Sequence, residues 1–514
     1  MALVHATRET DVVIVGAGPT GLMLALCLTR LGVRVEILDR KHGPTRESRA
    51  LVLQARTMEL YDQLGIVDRV IAEATTVAAA VPGFGRRRFG RVDLARLATG
   101  VTPYPRLYVF EQSRNERLLV DALEAEAVPV RWGCTLESVD AIASDRVEVC
   151  CAAGSSEPVQ ISARYCVGAD GSSSRVRELA GIPFEGTTNP HTFYVLDADG
   201  VSGIALDSVN VRFGEHEFLL SFPMGSVDHE RLLGVVRTPA GEPVAESHAR
   251  AVMERAFGIR YESSKWFSTY RVHHRVAARF RAGPVFLAGD AAHVHSPVGA
   301  QGMNTGLQDA HNLACKIGDV IAGRADDASL ERYEAERRPV AMRLVSTTDS
   351  VFGLITSERA PGSAIRRWLL PVAGPVAAFA LPRLVASSKL FEYLSQTRIH
   401  YWMSDAARRD AHGRRGDVVG RRLPFTGDNH ASLRTMQWQV HGYGAGAERV
   451  ARSLDLPWQD FGASGHPRLS DSMLYLVRPD GFVAAVASRD AAAAAFAAAL
   501  PAAGRSTLSR GHTA

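Results

Sequence analysis

"DVVIVGAGPTGLMLALCLTRLGVRVEILDR" (Asp11–Arg40) reads as a strand, a tight glycine turn, an amphipathic helix and a second strand. The continuous apolar run Val12–Val15 fits a parallel strand covered on both faces. In the G-x-G-x-x-G that follows, Gly16 makes the tight turn, Gly18 lets backbone approach a pyrophosphate, and Gly21 permits close helix–strand contact. The helix from Pro19 to about Arg30 aims its N-terminal N–H groups and positive dipole end at that phosphate. The second strand ends at Asp39, about 20 residues on, where an acid binds a ribose hydroxyl, with Arg40 beside it. A dinucleotide site follows from this segment. Whether the dinucleotide carries a flavin or a nicotinamide does not.

Two further stretches decide that question: "CVGADGSSSRVR" (Cys166–Arg177) and "PVFLAGDAAHVHSPVGAQGMNTGLQDAHNLACKI" (Pro284–Ile317). In the second, a buried strand ends in Gly289-Asp290, where a carboxylate can accept hydrogen bonds from a ribityl hydroxyl. Small, flexible residues then precede a helix expected from about Met303 to Ile321. Backbone N–H groups at Gly299, Gly302 and Met303 suit negative charge on the pyrimidine edge of a reduced flavin. Three signatures in this order specify bound FAD.

The 514 residues suffice for about three domains. Net charge is +4, and the densest basic cluster, Arg86–Arg88 with Arg91, is short and glycine-flanked, so no nucleic-acid partner is expected. The N-terminus lacks a basic region followed by an apolar stretch, so no secretory signal is read. The longest apolar run, Leu369–Leu381, is broken by Pro371 and Pro375 and is shorter than the roughly 20 residues of a membrane helix. Six cysteines without C-x-x-C spacing read as buried free thiols in a reducing cytoplasm. His293 and His295, like His273 and His274, lack the accompanying ligands of a metal site, and no metal is expected. Ser296 and Ser172–Ser174 lack a G-x-S-x-G context.

The three signatures together resemble the class A flavoprotein aromatic hydroxylases, of the para-hydroxybenzoate and phenol hydroxylase type. Within that class the sequence is most similar to bacterial polyketide hydroxylases and antibiotic-modifying monooxygenases. The resemblance spans about residues 8–405. It implies that Gly289 and Asp290 contact the ribityl chain, and that Asp170, Gly171, Ser174 and Arg177 serve FAD and NADPH (or NADH) binding. It places Pro297 near the reactive edge of the flavin, and Gly302 and Asn304 in the same cofactor-binding segment. "RESRALVLQARTMELYDQLGI" and "VFEQSRNERLL" add Arg46, Arg49 and Gln112 as cofactor-contact candidates, against an ordinary surface reading of the arginines. Ala300 departs from the pattern, since many relatives carry a second glycine there.

The fold class expected is α/β. Residues 1–70, 100–180 and 276–350 form a Rossmann-like FAD-binding domain, and 71–99 with 181–275 an inserted β-sheet substrate domain. A helical connector (351–410), a C-terminal thioredoxin-like domain without cysteines (411–503) and a disordered tail (504–514) complete the chain. The connector reads as a packing helix, a dimer contact or a cavity wall, so a homodimer stays open. No second G-x-G-x-x-G follows residue 150, so a nicotinamide is expected to visit the flavin without its own Rossmann unit.

The reaction implied by the resemblance is aromatic hydroxylation through a flavin hydroperoxide, with NAD(P)H and O2 consumed. Pro297, Gly299 and Met303 stand as the catalytic candidates. A polycyclic phenol of polyketide type is the expected substrate; inactivation of a tetracycline- or rifamycin-type antibiotic is the alternative. A flavin reductase and a flavoprotein that only sequesters its ligand are the readings from other classes. A halogenase is disfavoured because no W-x-W-x-I-P occurs.

Overall fold

The computed structural model describes residues 8–46, 50–77, 79–94, 100–143, 145–153, 156–225, 228–236, 244–295, 301–356, 391–393, 395–401, 418–444 and 446–502. Leu369–Leu381, most of the connector and the segment 504–514 lie outside them. The chain is a mixed α/β protein.

Its first layer is an eight-stranded sheet built on the strand Arg8–Val15, which is parallel to both Val35–Asp39 and the C-terminal half of Ser156–Gly168. Val12, Val13 and Ile14 have no exposed surface. That is why their segment reads as an unbroken apolar run rather than an alternating one. The short strand Val285–Leu287 adds to the far side of Ser156–Gly168. All three glycine signatures therefore leave neighbouring strands of one sheet in the same direction. Helices Pro19–Arg30 and Gly302–Ile321 pack against each other over this sheet, and Gly318 lets Leu31 approach.

The second layer has nine strands, centred on two long ones, Phe184–Asp199 and Ser263–Ala277. From these the sheet continues through Glu230–Val236, Phe218–Pro223 and Val209–Phe213 to the hairpin of Ala79–Phe84 and Arg87–Arg88. Its edge strand, His293–Val294, comes directly after Gly289-Asp290. The third signature thus joins the two layers covalently. One face of the second sheet packs against the helix Glu246–Phe257, and the other contributes Phe193, Phe218, Phe222 and Leu233 to a core beside the first layer.

The C-terminal region forms a four-stranded sheet, with Gln439–Tyr443 parallel to Trp458–Phe461 and Met473–Val477 paired with Val483–Ser488. Its Arg478–Phe482 hairpin is tied to the first layer by buried charges. Arg478 is 2.7 Å from Glu336 and 2.6 Å from Asp480, and Lys316 is 2.7 Å from Glu336. Such a set holds only while every charge keeps its partners. Among the described residues no helix is long and apolar enough to cross a membrane. The cysteines are unpaired, and five of the six are buried.

Candidate active site

Gly16 leaves the first strand with φ +106°, and a side chain there would collide with the Ala169 carbonyl of the second signature. A side chain on Gly21 would collide with the Gly16 carbonyl. Both glycines are required by backbone meeting backbone. Gly18 is different: φ is −82°, and a Cβ would meet nothing within 4 Å. The space in front of it belongs to a cavity of 950 Å³.

The helix Pro19–Arg30 opens onto that space with no side-chain cap and no acid in its first turn. Its leading N–H groups are left for a ligand, and they with the positive end of the helix dipole favour an anion. Open space at Gly18 beside uncapped donors fits the pyrophosphate of a dinucleotide.

Asp39 is buried at the end of its strand. One carboxylate oxygen accepts the Ala17 N–H at 2.7 Å and the other the Lys41 N–H at 2.8 Å. It fixes the glycine turn and borders the cavity. Lys41 reaches the buried Glu116 at 3.2 Å; Glu116 also accepts the Thr45 N–H at 2.7 Å and the Gln112 amide at 3.0 Å. Gln112 and Arg40 line the cavity with Lys41 and Glu116. Arg46 is exposed and is not on the cavity wall. Arg49 lies outside the described residues.

Sequence reasoning passed over Lys41 and Glu116. Glu116 carried a signal: it sits one helical turn beyond Gln112 on the inward face of Gln112–Ala125.

In the second signature, Asp170 accepts the Ser174 hydroxyl and the N–H groups of Arg175 (2.7 Å) and Val176 (3.2 Å). Ser174 caps the following short helix through Arg177 N–H. The acid therefore holds its own turn in shape, while Asp170 and Gly171 border the cavity. Arg177 stands behind the wall. It donates to the Ala291 and Ser172 carbonyls at 2.9 and 2.8 Å and stacks 3.9 Å over Phe184. It clasps the second signature to the third.

In the third signature, Asp290 borders the cavity and is exposed to it. Its setting among protein atoms raises its pKa, His293 opposes the rise and Asp309 adds to it. Asp309, fully buried, accepts the Gly289 N–H at 3.2 Å and His293 Nε2 at 2.6 Å, and pairs with Arg337 at 2.6 Å. Burial acts to raise its pKa, yet Arg337 and His293 hold the carboxyl below its ordinary value. Gln301, Gly302 and Met303 line the cavity at the helix start. Asn304 is fully buried behind them, accepting from Gln54 N–H and the Thr57 hydroxyl and donating to the Val52 carbonyl. Pro297 and Gly299 lie outside the described residues.

The cavity continues over the second sheet, where Leu220, Phe222, Leu233, Trp266 and Tyr270 form an apolar and aromatic wall. Arg231 and Arg271 interrupt it. Arg231 is held by Asp197 at 2.5 and 2.6 Å and by Glu111 of the first layer at 3.0 Å, with Trp266 5.7 Å from the guanidinium. His273 borders the same space, its Nδ1 2.9 Å from the Thr188 hydroxyl. Burial, Arg275 and Arg271 lower its pKa, so the ring is neutral near pH 7.

One continuous space therefore has an anion-receptive, polar end and an aromatic end. This is the shape a flavin dinucleotide with its substrate requires.

Residues 9–348 match the model of the FAD binding domain family. The chain is 36% identical over 376 residues to a 6-methylpretetramide 4-monooxygenase of Streptomyces rimosus, covering 71% of this chain and 64% of that protein. A rifampicin monooxygenase of Streptomyces venezuelae is 32% identical over 92% of this chain and 94% of its own length. Among solved structures, an anhydrotetracycline hydroxylase from Streptomyces rimosus superposes with a TM-score of 0.73 at 28% identity. That match covers 94% of this chain and 96% of the other.

Proposed function

Because the chain belongs to the FAD binding domain family, we propose that its cavity holds FAD across the three glycine signatures and a polycyclic phenol against the aromatic wall, as an FAD-dependent monooxygenase. The observation that carries this reading is the continuity of the cavity from Gly18 and Asp39 to Trp266 and Tyr270. The bound flavin supplies reduction by NAD(P)H and activation of O2; the rest falls to the chain.

The uncapped helix start at Gly18–Thr20 receives the pyrophosphate, Asp39 the ribose, and Asp290 the ribityl hydroxyls. The N-terminus of Gly302–Ile321 faces the flavin ring and favours negative charge there. Leu220, Phe222 and Leu233 exclude water, which protects a reactive oxygen donor from decay. Arg231, fixed by Asp197 and Glu111, gives a keto or phenolate oxygen of the substrate one directional partner in an apolar surround. Trp266 and Tyr270 offer faces on which fused rings stack.

The nine-stranded sheet reads as the substrate domain. The C-terminal sheet reads as a thioredoxin-like unit, supported by its mixed parallel and antiparallel strand order. With no cysteine in it, its role is structural.

The rifampicin monooxygenase match runs over nearly the whole of both chains, which favours a second reading, oxygenation that inactivates an antibiotic. One experiment tests both. NADPH and O2 consumption are followed with tetracyclic phenols and with ansamycins, and products are weighed after reaction under ¹⁸O2. A product heavier by one labelled oxygen supports the proposal. NADPH oxidation without O2 uptake points to a reductase, and FAD retention with no stimulation by any ligand points to a sequestering protein.

A further inference from the structure

A second, smaller cavity of 50 Å³ lies where three parts of the chain meet: Gly100–Val101, Glu392–Arg398, and Arg421–Phe425 with His466 and Arg468 of the C-terminal region. At roughly 10–15 Å³ per water, it has room for about three to five waters or one tetrahedral oxyanion. Arg398, Arg421, Arg422, Arg468 and His466 line it, against one carboxylate, Glu392.

Several hydrogen-bond donors border it. Arg422, 7% exposed, gives one terminal nitrogen to Glu59 at 2.9 Å and the other to the Val101 carbonyl at 2.8 Å, and its buried Nε has no partner. His466 Nδ1 accepts the Arg468 N–H at 3.2 Å, which fixes the proton on Nε2 and makes that atom a donor. Arg468 has no ion-pair partner among the described residues. The Arg398 guanidinium lies 4.3 Å over the Tyr393 ring.

The cations also oppose one another. Burial first, then Arg468 and Arg422, lowers the pKa of His466. Arg56 and Arg468 act on Arg422 in the same sense as its burial, against Glu59 and Glu392. Like charges gathered in a partly buried pocket repel in a medium that screens them weakly. An anion placed among them relieves that repulsion and forms charge-assisted hydrogen bonds.

We propose that this pocket is an oxyanion site that takes one phosphate group, where the C-terminal region meets Gly100–Val101 and the stretch carrying Glu392 and Arg398. Two sources carry that chemistry: free inorganic phosphate, and the 2′-phosphate of a phosphorylated nicotinamide dinucleotide. Phosphate binding is measured without turnover, so the site stands apart from the proposed activity; only the choice between its two sources rests on that activity.

The test titrates inorganic phosphate into the FAD-loaded protein at constant ionic strength, with chloride as the control, and follows the thermal midpoint. A saturable rise is expected in phosphate, and Arg468→Gln should weaken the apparent phosphate affinity at least tenfold without lowering the midpoint in chloride. Arg398→Gln, at an exposed side chain, gives the same comparison should Arg468→Gln fold poorly. A wild-type response to phosphate no larger than to chloride overturns the proposal, as does a wild-type phosphate response in both variants. A second arm identifies the source. If Arg468→Gln raises KM for NADPH severalfold but not for NADH, the 2′-phosphate occupies the site; if neither changes while phosphate binding is lost, the ligand is the free anion.

Discussion

The Thr20 hydroxyl occupies the space that a side chain at Gly289 would need, 2.5 Å from that Cβ position. Thr20 lies in the first turn of the helix Pro19–Arg30 and Gly289 follows the strand of the third signature, so two turns far apart in sequence are built into one notch. Gly289 also has φ +60°, a conformation that L side chains rarely adopt. Gly289→Ala is expected to cost about 2–3 kcal/mol of stability and to weaken FAD binding. Denaturant titration of the apoprotein and flavin fluorescence measure the two. Unchanged stability and affinity would show that the notch is not as tight as described.

On the proposed reading, Arg231 serves the substrate and not the cofactor. It lies on the second sheet, clamped by Asp197 and Glu111, away from the glycine turns. Arg231→Gln should leave the FAD dissociation constant within about twofold and lower kcat/KM for a phenolic substrate at least tenfold, about 1.4 kcal/mol of transition-state stabilisation. Equal losses of FAD affinity and turnover would assign the residue to the fold instead.

Glu230, the neighbour of Arg231 in sequence, points to the opposite face of the sheet and is 2% exposed, with one carboxylate oxygen lacking a partner. Burial pushes its pKa from 4.5 up to about 8, opposed by a Ser221 hydrogen bond and reinforced by Asp207 and Asp228. The folded state therefore holds a proton that the unfolded chain releases above pH 4.5. Stability falls as pH rises from about 4.5 to 8 and levels off above. Glu230→Gln should remove that slope. The variant gains on the order of a few kcal/mol over wild type near pH 8, and the difference closes toward pH 5. Chemical denaturation across pH 5–9 checks it; parallel curves for the two proteins would contradict it.

The parts legible in the sequence are those dictated by backbone geometry. Gly16, Gly21 and Gly289 are needed wherever chain meets chain, and the unbroken apolar run at Val12–Val15 reports burial on both faces. Side-chain partnerships across distant elements left no such trace. Asp309 lies on a helix whose residues from Asn304 to Val320 are all buried, so periodicity could not single it out as the acid holding Gly289 and His293. Arg177 and Asn304, read as cofactor contacts from the segments that contain them, do not line the cavity and are held by neighbouring backbone and side chains. Arg231, Asp197 and Glu111 come from three separate stretches and meet only when the two layers close. Of Lys41 and Glu116, only Glu116 could be inferred, from helix spacing relative to Gln112.

The central claim is that the open space before Gly18 is where the dinucleotide phosphate sits. Gly18 has an extended backbone that any residue can adopt, and a Cβ there meets no protein atom within 4 Å, so Gly18→Val should fold like wild type and fill only that space. Calorimetric titration of FAD into the two apoproteins decides it. The account predicts equal thermal stability of the apoproteins and at least a hundredfold weaker FAD binding by Gly18→Val; wild-type FAD affinity in that variant would contradict it.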